Sequence, residues 1–349
     1  MSVESMRSFG PAGMQRRLPH KVMAMPQRLP GLLMLPLLGI LLAPRLAMAN
    51  GMAFVINSNE ASVSVIDVQT HKEVRRVPML REPHHMALTP DGKSLLVGDT
   101  TGNTLFFLDP NTGELQRQVR VSDPYQLTFS PDGRWLTVAG LARNQIDIYD
   151  AGTMRLVHRI AASSMPSHIN YTPDSSVVYV SLQGTDSLVA IETRSGKVLW
   201  KVKVGSTPAG VLWHKGRLLV GIMGADYVAV VEPADGRVER KVRTGRGAHV
   251  MFVPHDGKFI YVSNRVDGTI SVLDPKTLDV LWNFSIPGGP DDLDFAPDGR
   301  MWVSRRWANS VAILDLATDQ FQVIPTGRSP HGVWLNTHPA GPAISGRAQ

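Results

Sequence analysis

His85, His168 and His249 stand about 80 residues apart in a chain of 349 residues that contains no cysteine. Imidazole is then the strongest transition-metal donor available, and three His with one open position is the ligand set of a catalytic zinc or copper ion. No short H-x-x-x-H spacing joins them, so they can meet only if the fold brings them together. A second set, Arg265, Arg305, Arg306, Trp307, Asp292, Gln126 and His331, offers guanidinium forks, hydrogen-bonding groups and one stacking ring. Such groups suit a polar or anionic small molecule, or the carboxylates of an envelope protein partner. A third chemistry is hydrolysis. The chain has no G-x-S-x-G elbow, so a lactonase-like hydrolase would need a His or carboxylate as general base on water. The lack of cysteine excludes disulfides, thiolate nucleophiles, iron–sulfur clusters and c-type haem attachment.

The elements that must position these residues are set by a repeat. A Pro-Asp-Gly turn follows an apolar segment at Pro90-Asp91-Gly92, Pro131-Asp132-Gly133 and Pro297-Asp298-Gly299, with Pro173-Asp174-Ser175 as a variant. An acid followed by a turn recurs at Asp67, Asp109, Asp150, Glu192, Glu232, Asp274 and Asp315, at spacings of 42, 41, 42, 40, 42 and 41 residues. Seven copies in register define the fold. Each holds four short apolar segments, as at 292–295, 301–304, 310–315 and 320–325, punctuated by Gly, Asp and Pro. These read as antiparallel strands joined by tight turns. One four-stranded unit cannot bury both faces, so the units stack around an axis as an all-β, seven-bladed β-propeller. The segment 52–57 matches a second strand and 330–335 a first strand. The C-terminal strand is therefore expected to complete the N-terminal blade and close the ring.

Tyr261-Val262-Ser263-Asn264 followed by Gly268-Thr269-Ile270-Ser271-Val272-Leu273-Asp274 resembles the YVTN-type, YncE-like β-propeller repeat family. Weaker echoes at Phe54-Val55-Ile56-Asn57 and Tyr179-Val180-Ser181-Leu182 extend the likeness over 52–335. The resemblance is specific for fold. The functions it implies range over secreted binding proteins, lactone hydrolases, surface-layer proteins and the larger d1-haem and quinoprotein propellers.

In such a blade the first strand runs down the channel, the Pro-Asp-Gly hairpin lies below, and the second strand returns. Loops between strands two and three therefore share the upper face with the blade-to-blade loops, where functional residues gather. The blade-to-blade loops supply His84-His85, Tyr125-Gln126, Ser167-His168, Ala209-Gly210, Ala248-His249, Asp291-Asp292 and His331-Gly332. The second member of each pair is expected at an equivalent channel-mouth position. The other upper loops add Arg265, Arg305, Arg306 and Trp307. Plainer readings compete: an inner-strand His can bond a neighbouring blade's backbone, and Asp291-Asp292 can be turn chemistry. Trp200, Trp282 and Trp302 are expected in inter-blade packing, and His71 on a lower turn as incidental.

The formal net charge of +6 would suit nucleic acid or an anionic membrane. Residues 1–49, however, read as a signal peptide, with basic residues, an apolar run from Gly31 to Pro44 and Ala47-Met48-Ala49 before the cut. That leader holds six basic residues (Arg7, Arg16, Arg17, Lys21, Arg28, Arg45) and one acid (Glu4). The remaining 300 residues carry 30 Lys+Arg and 29 Asp+Glu, a net of +1. Nucleic acid is therefore disfavoured. The expectation is a periplasmic, monomeric propeller over 50–335 with a tail at 336–349 and no transmembrane segment in the mature chain. It binds a ligand or partner at a His- and Arg-rich mouth. The alternative is an oxidoreductase-type enzyme using a His-ligated zinc or copper, or the hydrolase.

Overall fold

The recurrent acids build the blades as their spacing requires. In a computed structural model that describes residues 51–337, each acid closes a third strand and turns the chain into the fourth. The Asp67 carboxylate accepts the amides of Gln69 (3.0 Å) and Thr70 (2.7 Å). Asp274 does the same for Lys276 (2.7 Å) and Thr277 (2.8 Å). A side chain that bonds its own backbone two and three residues on nucleates the turn locally. The expected leader (1–49) and nearly all of the expected tail (336–349) lie outside the described residues.

Seven sheets of four antiparallel strands result. Blade one consists of Pro330–Asn336, Met52–Asn57, Ser62–Asp67 and Lys72–Pro78, in that order. The strand Pro330–Asn336 pairs antiparallel to Met52–Asn57, setting Phe54 opposite Trp334. The two ends of the chain thus share one sheet, which closes the ring. The apolar clusters lie between neighbouring blades. One joins Trp302, Val311 and Ile313 of blade seven to Ala53, Val55, Ile66, Val333 and Leu335 of blade one. Trp200 also bridges blades, donating to the Pro233 carbonyl at 3.0 Å. Trp282 differs from expectation: it is 39% exposed on an outermost strand and packs on Phe259 and Phe284 of its own blade.

Two local devices shape the channel wall. Pairing of first and second strands skips one residue near its start. Pro83 pairs with Asp99 and then His85 with Gly98, while Pro290 pairs with Arg305 and then Leu293 with Val303. Each skip is a β-bulge, which redirects side chains and bends the strand. The second device is a small penultimate residue in the second strand: Gly98, Ala139, Ser181, Gly221, Ser263 and Ser304, with Ile56 the exception. A Cβ at Gly221 would stand 2.2 Å from the His249 carbonyl oxygen. Ser263 Oγ donates to the Asp291 carbonyl at 2.8 Å, and Ser304 Oγ to that of His331 at 2.7 Å. At Gly98, Gly221, Ser263 and Ser304 the small residue therefore seats the chain entering the next blade, whereas Ser181 bonds Ser167 and His168 of its own blade.

The terminal Asn of the family-like strand is a clasp. Asn264 Nδ2 donates to Thr269 (3.1 Å) and Ser271 (2.9 Å) on the third strand, as Asn57 does to Ser62 and Ser64. Among the described residues no helix is long and apolar enough to cross a membrane.

Candidate functional site at the channel mouth

The bulges deliver two consecutive residues per blade to the upper channel. By strand pairing, the first position holds His84, Ser167, Ala209, His249, Asp291 and His331, and the second His85, His168, Gly210, Val250, Asp292 and Gly332. Tyr125 and Gln126 enter at the corresponding place in blade three. His249 does not share the register of His85 and His168. Ala248 pairs with Asn264 and Met251 with Val262, which sets His249 one residue earlier, level with Asp291 and His331.

Asp291 is the hub. Its side chain is fully buried and meets four donors. Oδ1 accepts from Arg265 and from His249 Nδ1 at 3.0 Å; Oδ2 accepts from Arg306 Nη1 at 3.1 Å and His331 Nδ1 at 2.6 Å. Arg265 and Arg306 each follow the second strand of a blade, six and seven respectively, so two upper loops fold inward over one first-position acid. Burial alone would raise the Asp291 pKa. The Arg265 guanidinium, with His331 and His249, outweighs it and holds the carboxyl well below the usual range. The sequence points to Asp292 as the site residue, with turn chemistry as the plainer reading of the doublet. The available signal was the match of Asp291, after Pro290, to His331 after Pro330.

Five imidazoles surround this hub. The rings of His85, His168, His249 and His331 form a closed circuit with successive centroid separations of 5.3, 5.1, 6.4 and 4.8 Å. His84 stacks between Tyr125 (3.8 Å) and His331 (3.9 Å). Burial is the first cause of the low pKa of each. His85 falls to about 3 and His249 to about 4, and His84, His168 and His331 lie well below the ordinary value. All five are uncharged at neutral pH, the form that can ligate metal or accept a proton. The buried Nε2 atoms of His168 and His331 have no partner within the protein.

Below the ring lies a cavity of about 110 Å³ whose lining mixes polar residues (His85, Gln126, His168, Asn170, Asp292, Asp294) with apolar ones (Met251, Phe252, Leu293, Trp334). Gln126 Nε2 bonds Thr128 at 3.2 Å within this wall. Burial, reinforced by the charge of Asp291, pushes Asp292 well above the usual carboxylate range. Of the remaining expected residues, Arg265, Arg306 and His331 belong to the cluster. Arg305 turns away: its Nε donates to the Pro287 carbonyl at 2.8 Å and its guanidinium lies 5.6 Å from the centre of the Phe321 ring. Trp307 is 60% exposed at the rim, packed against Gly289, where a Cβ would stand 2.6 Å from the indole.

Chemically, the arrangement offers neutral imidazoles backed by a carboxylate, which can ligate a metal ion or take a proton from water. It also offers two guanidiniums against one ionised carboxylate, a local excess of positive charge.

The profile of the YNCE-like beta-propeller family matches residues 32–341. No curated protein matches the chain. Among solved structures, a functionally unknown protein from Desulfotomaculum acetoxidans shares 12% identity at a TM-score of 0.72, over 82% of this chain and 99% of that one. The dihydro-heme d1 dehydrogenase NirN in complex with DHE shares 16% at 0.62, over 82% and 75%. Hydrazine synthase of Kuenenia stuttgartiensis shares 21% at 0.62, over 78% and 92%. At these identities the likeness is one of fold.

Proposed function

The chain belongs to the YNCE-like β-propeller family, and on that scaffold we propose an exported binding protein that holds a small ligand in its upper channel mouth. The observation that carries this reading is the pair of buried, unpartnered Nε2 atoms on His168 and His331, beside a cavity of mixed polar and apolar lining. An unsatisfied buried polar atom costs free energy of order 1–3 kcal/mol. Two in one mouth are explained most simply by a ligand that satisfies them. Export to the periplasm rests on the leader at 1–49, and near neutrality of the remaining chain favours a compact ligand over a nucleic acid.

The test is native mass spectrometry of protein recovered from its own periplasm, beside a variant carrying Arg265→Ala and Arg306→Ala. The wild type is expected to carry a bound species that the double variant loses. A wild type that carries nothing, or a variant that keeps the species, overturns the reading.

A further inference from the structure

We infer that the Nε2 atoms of His85, His168, His249 and His331 form the coordination set of one first-row transition-metal ion, of the zinc or copper kind. The inference rests on the channel mouth being a ligand site and names the class of ligand.

The tautomers carry the argument. Asp291, bridged by the Arg265 and Arg306 guanidiniums, is a hydrogen-bond acceptor, so His331 and His249, whose Nδ1 atoms lie 2.6 and 3.0 Å from it, bear their protons there. Arg306 Nη1, 2.8 Å from the same His331 Nδ1, has its own acceptor in Asp291 Oδ2 at 3.1 Å. His85 Nδ1 lies 2.8 Å from the Tyr125 carbonyl, again an acceptor only. In all three rings the lone pair is therefore on Nε2. His168 Nδ1 is 3.1 Å from Ser167 Oγ, and its Nε2 is buried without a partner. A ligating His usually has its other nitrogen held by a carboxylate or carbonyl, and here that outer shell is already in place.

The spacing agrees. Four imidazoles on one tetrahedral ion, with metal–nitrogen bonds of 2.0–2.1 Å, have ring centres about 5 Å apart. Three of the four successive separations are 5.3, 5.1 and 4.8 Å, and the His249–His331 pair, at 6.4 Å, must close. Among the described residues, donor atoms of His84, His85 and His331 lie within 4.8 Å of one another. His84 is left out of the set because its ring is stacked on Tyr125 and its Nδ1 lies 2.9 Å from His85 Nδ1, the nitrogen that faces the Tyr125 carbonyl. It orients His85. The Arg265 and Arg306 charges exceed that of Asp291, so a dication here is expected to carry a small anion such as hydroxide or chloride, on the side of the partly exposed Arg306.

The test loads chelator-treated protein with one equivalent of Zn(II) or Cu(II), desalts it and measures bound metal by elemental analysis. Nitrogen hyperfine structure in the copper electron paramagnetic resonance spectrum reports the ligands. Circular dichroism confirms that each variant is folded. One ion per chain is expected, with several equatorial nitrogens and a higher Tm in the metal-loaded protein. His168→Gln and His331→Gln should each weaken binding about tenfold or more. The outer-strand control His158→Gln, whose ring bonds the Arg194 carbonyl away from the mouth, should stay within about twofold. No stoichiometric metal in folded wild type overturns the inference, as does unchanged binding in both His168→Gln and His331→Gln. A metal-free organic ligand in the native mouth overturns it while sparing the binding reading; an empty mouth overturns both.

Discussion

At Asp291 one buried carboxylate is shared by two guanidiniums and two imidazoles, an arrangement whose stability lies in its completeness. Removing the charge leaves Arg265 and Arg306 facing one another with no counter-ion, and breaking a buried ion cluster typically costs about 3–5 kcal/mol. Asp291→Asn should lower the urea midpoint by that measure; an unchanged midpoint would mean that solvent already screens the cluster. Its neighbour behaves oppositely. Asp292 has a raised folded pKa, so the native state keeps a proton that the unfolded chain loses above its ordinary value, and stability falls as pH rises. Asp292→Asn, a neutral isostere of the protonated acid, should match wild type near pH 4 and exceed it at pH 8, read by urea titration at both. Equal stability at pH 8 would show that Asp292 ionises freely in the cavity. The two adjacent acids were visible in the sequence as a doublet; which one is the hub was not, because that depends on a bulge.

At the level of elements, the seven turn-forming acids placed the blades correctly from spacing alone, since each acts on its own backbone. The small residue after a strand valine, as in Val97-Gly98, Val220-Gly221 and Val303-Ser304, was equally present in the sequence. Its purpose was not legible, because the space it leaves is filled by the next blade. The bulges escaped for the same reason. Their extra residue is defined only by pairing with a second strand, which is why His249 appeared level with His85 and His168. Gly221 gives the sharpest test. A Cβ there meets the His249 carbonyl backbone, so Gly221→Ala should cost about 1–3 kcal/mol by overpacking and also displace His249. Gly216, whose Cβ would meet nothing and whose φ is +77°, should cost about 1 kcal/mol on change to Ala through backbone strain alone. Metal or ligand binding separates them: it should weaken in the first variant and persist in the second. Equal binding in both would mean that the inner strand relaxes around the added methyl.

Over the whole molecule, a closed ring ties the mouth to global stability, because the strand that closes blade one also carries His331. Its Val333 and Leu335 share a core with Trp302 of blade seven, so neither the ring nor the cluster survives its loss. Acid should attack both together. The five mouth imidazoles have folded pKa values below their unfolded value of about 6.5, with His85 near 3 and His249 near 4. Between those limits the unfolded chain binds more protons than the native one, so each imidazole contributes stability above about pH 6.5 that is lost as pH falls toward 3 to 4. Asp291, held low, adds a loss in the same direction below the ordinary carboxylate range. Asp292 opposes them, but it is one group against five. The urea midpoint of metal-free protein should therefore decline steeply from pH 6.5 to pH 4, and the decline should be shallower in His331→Gln, which has one imidazole fewer to protonate. A profile flat to pH 4, or an unaltered slope in that variant, would mean that the mouth opens to water before the ring unfolds.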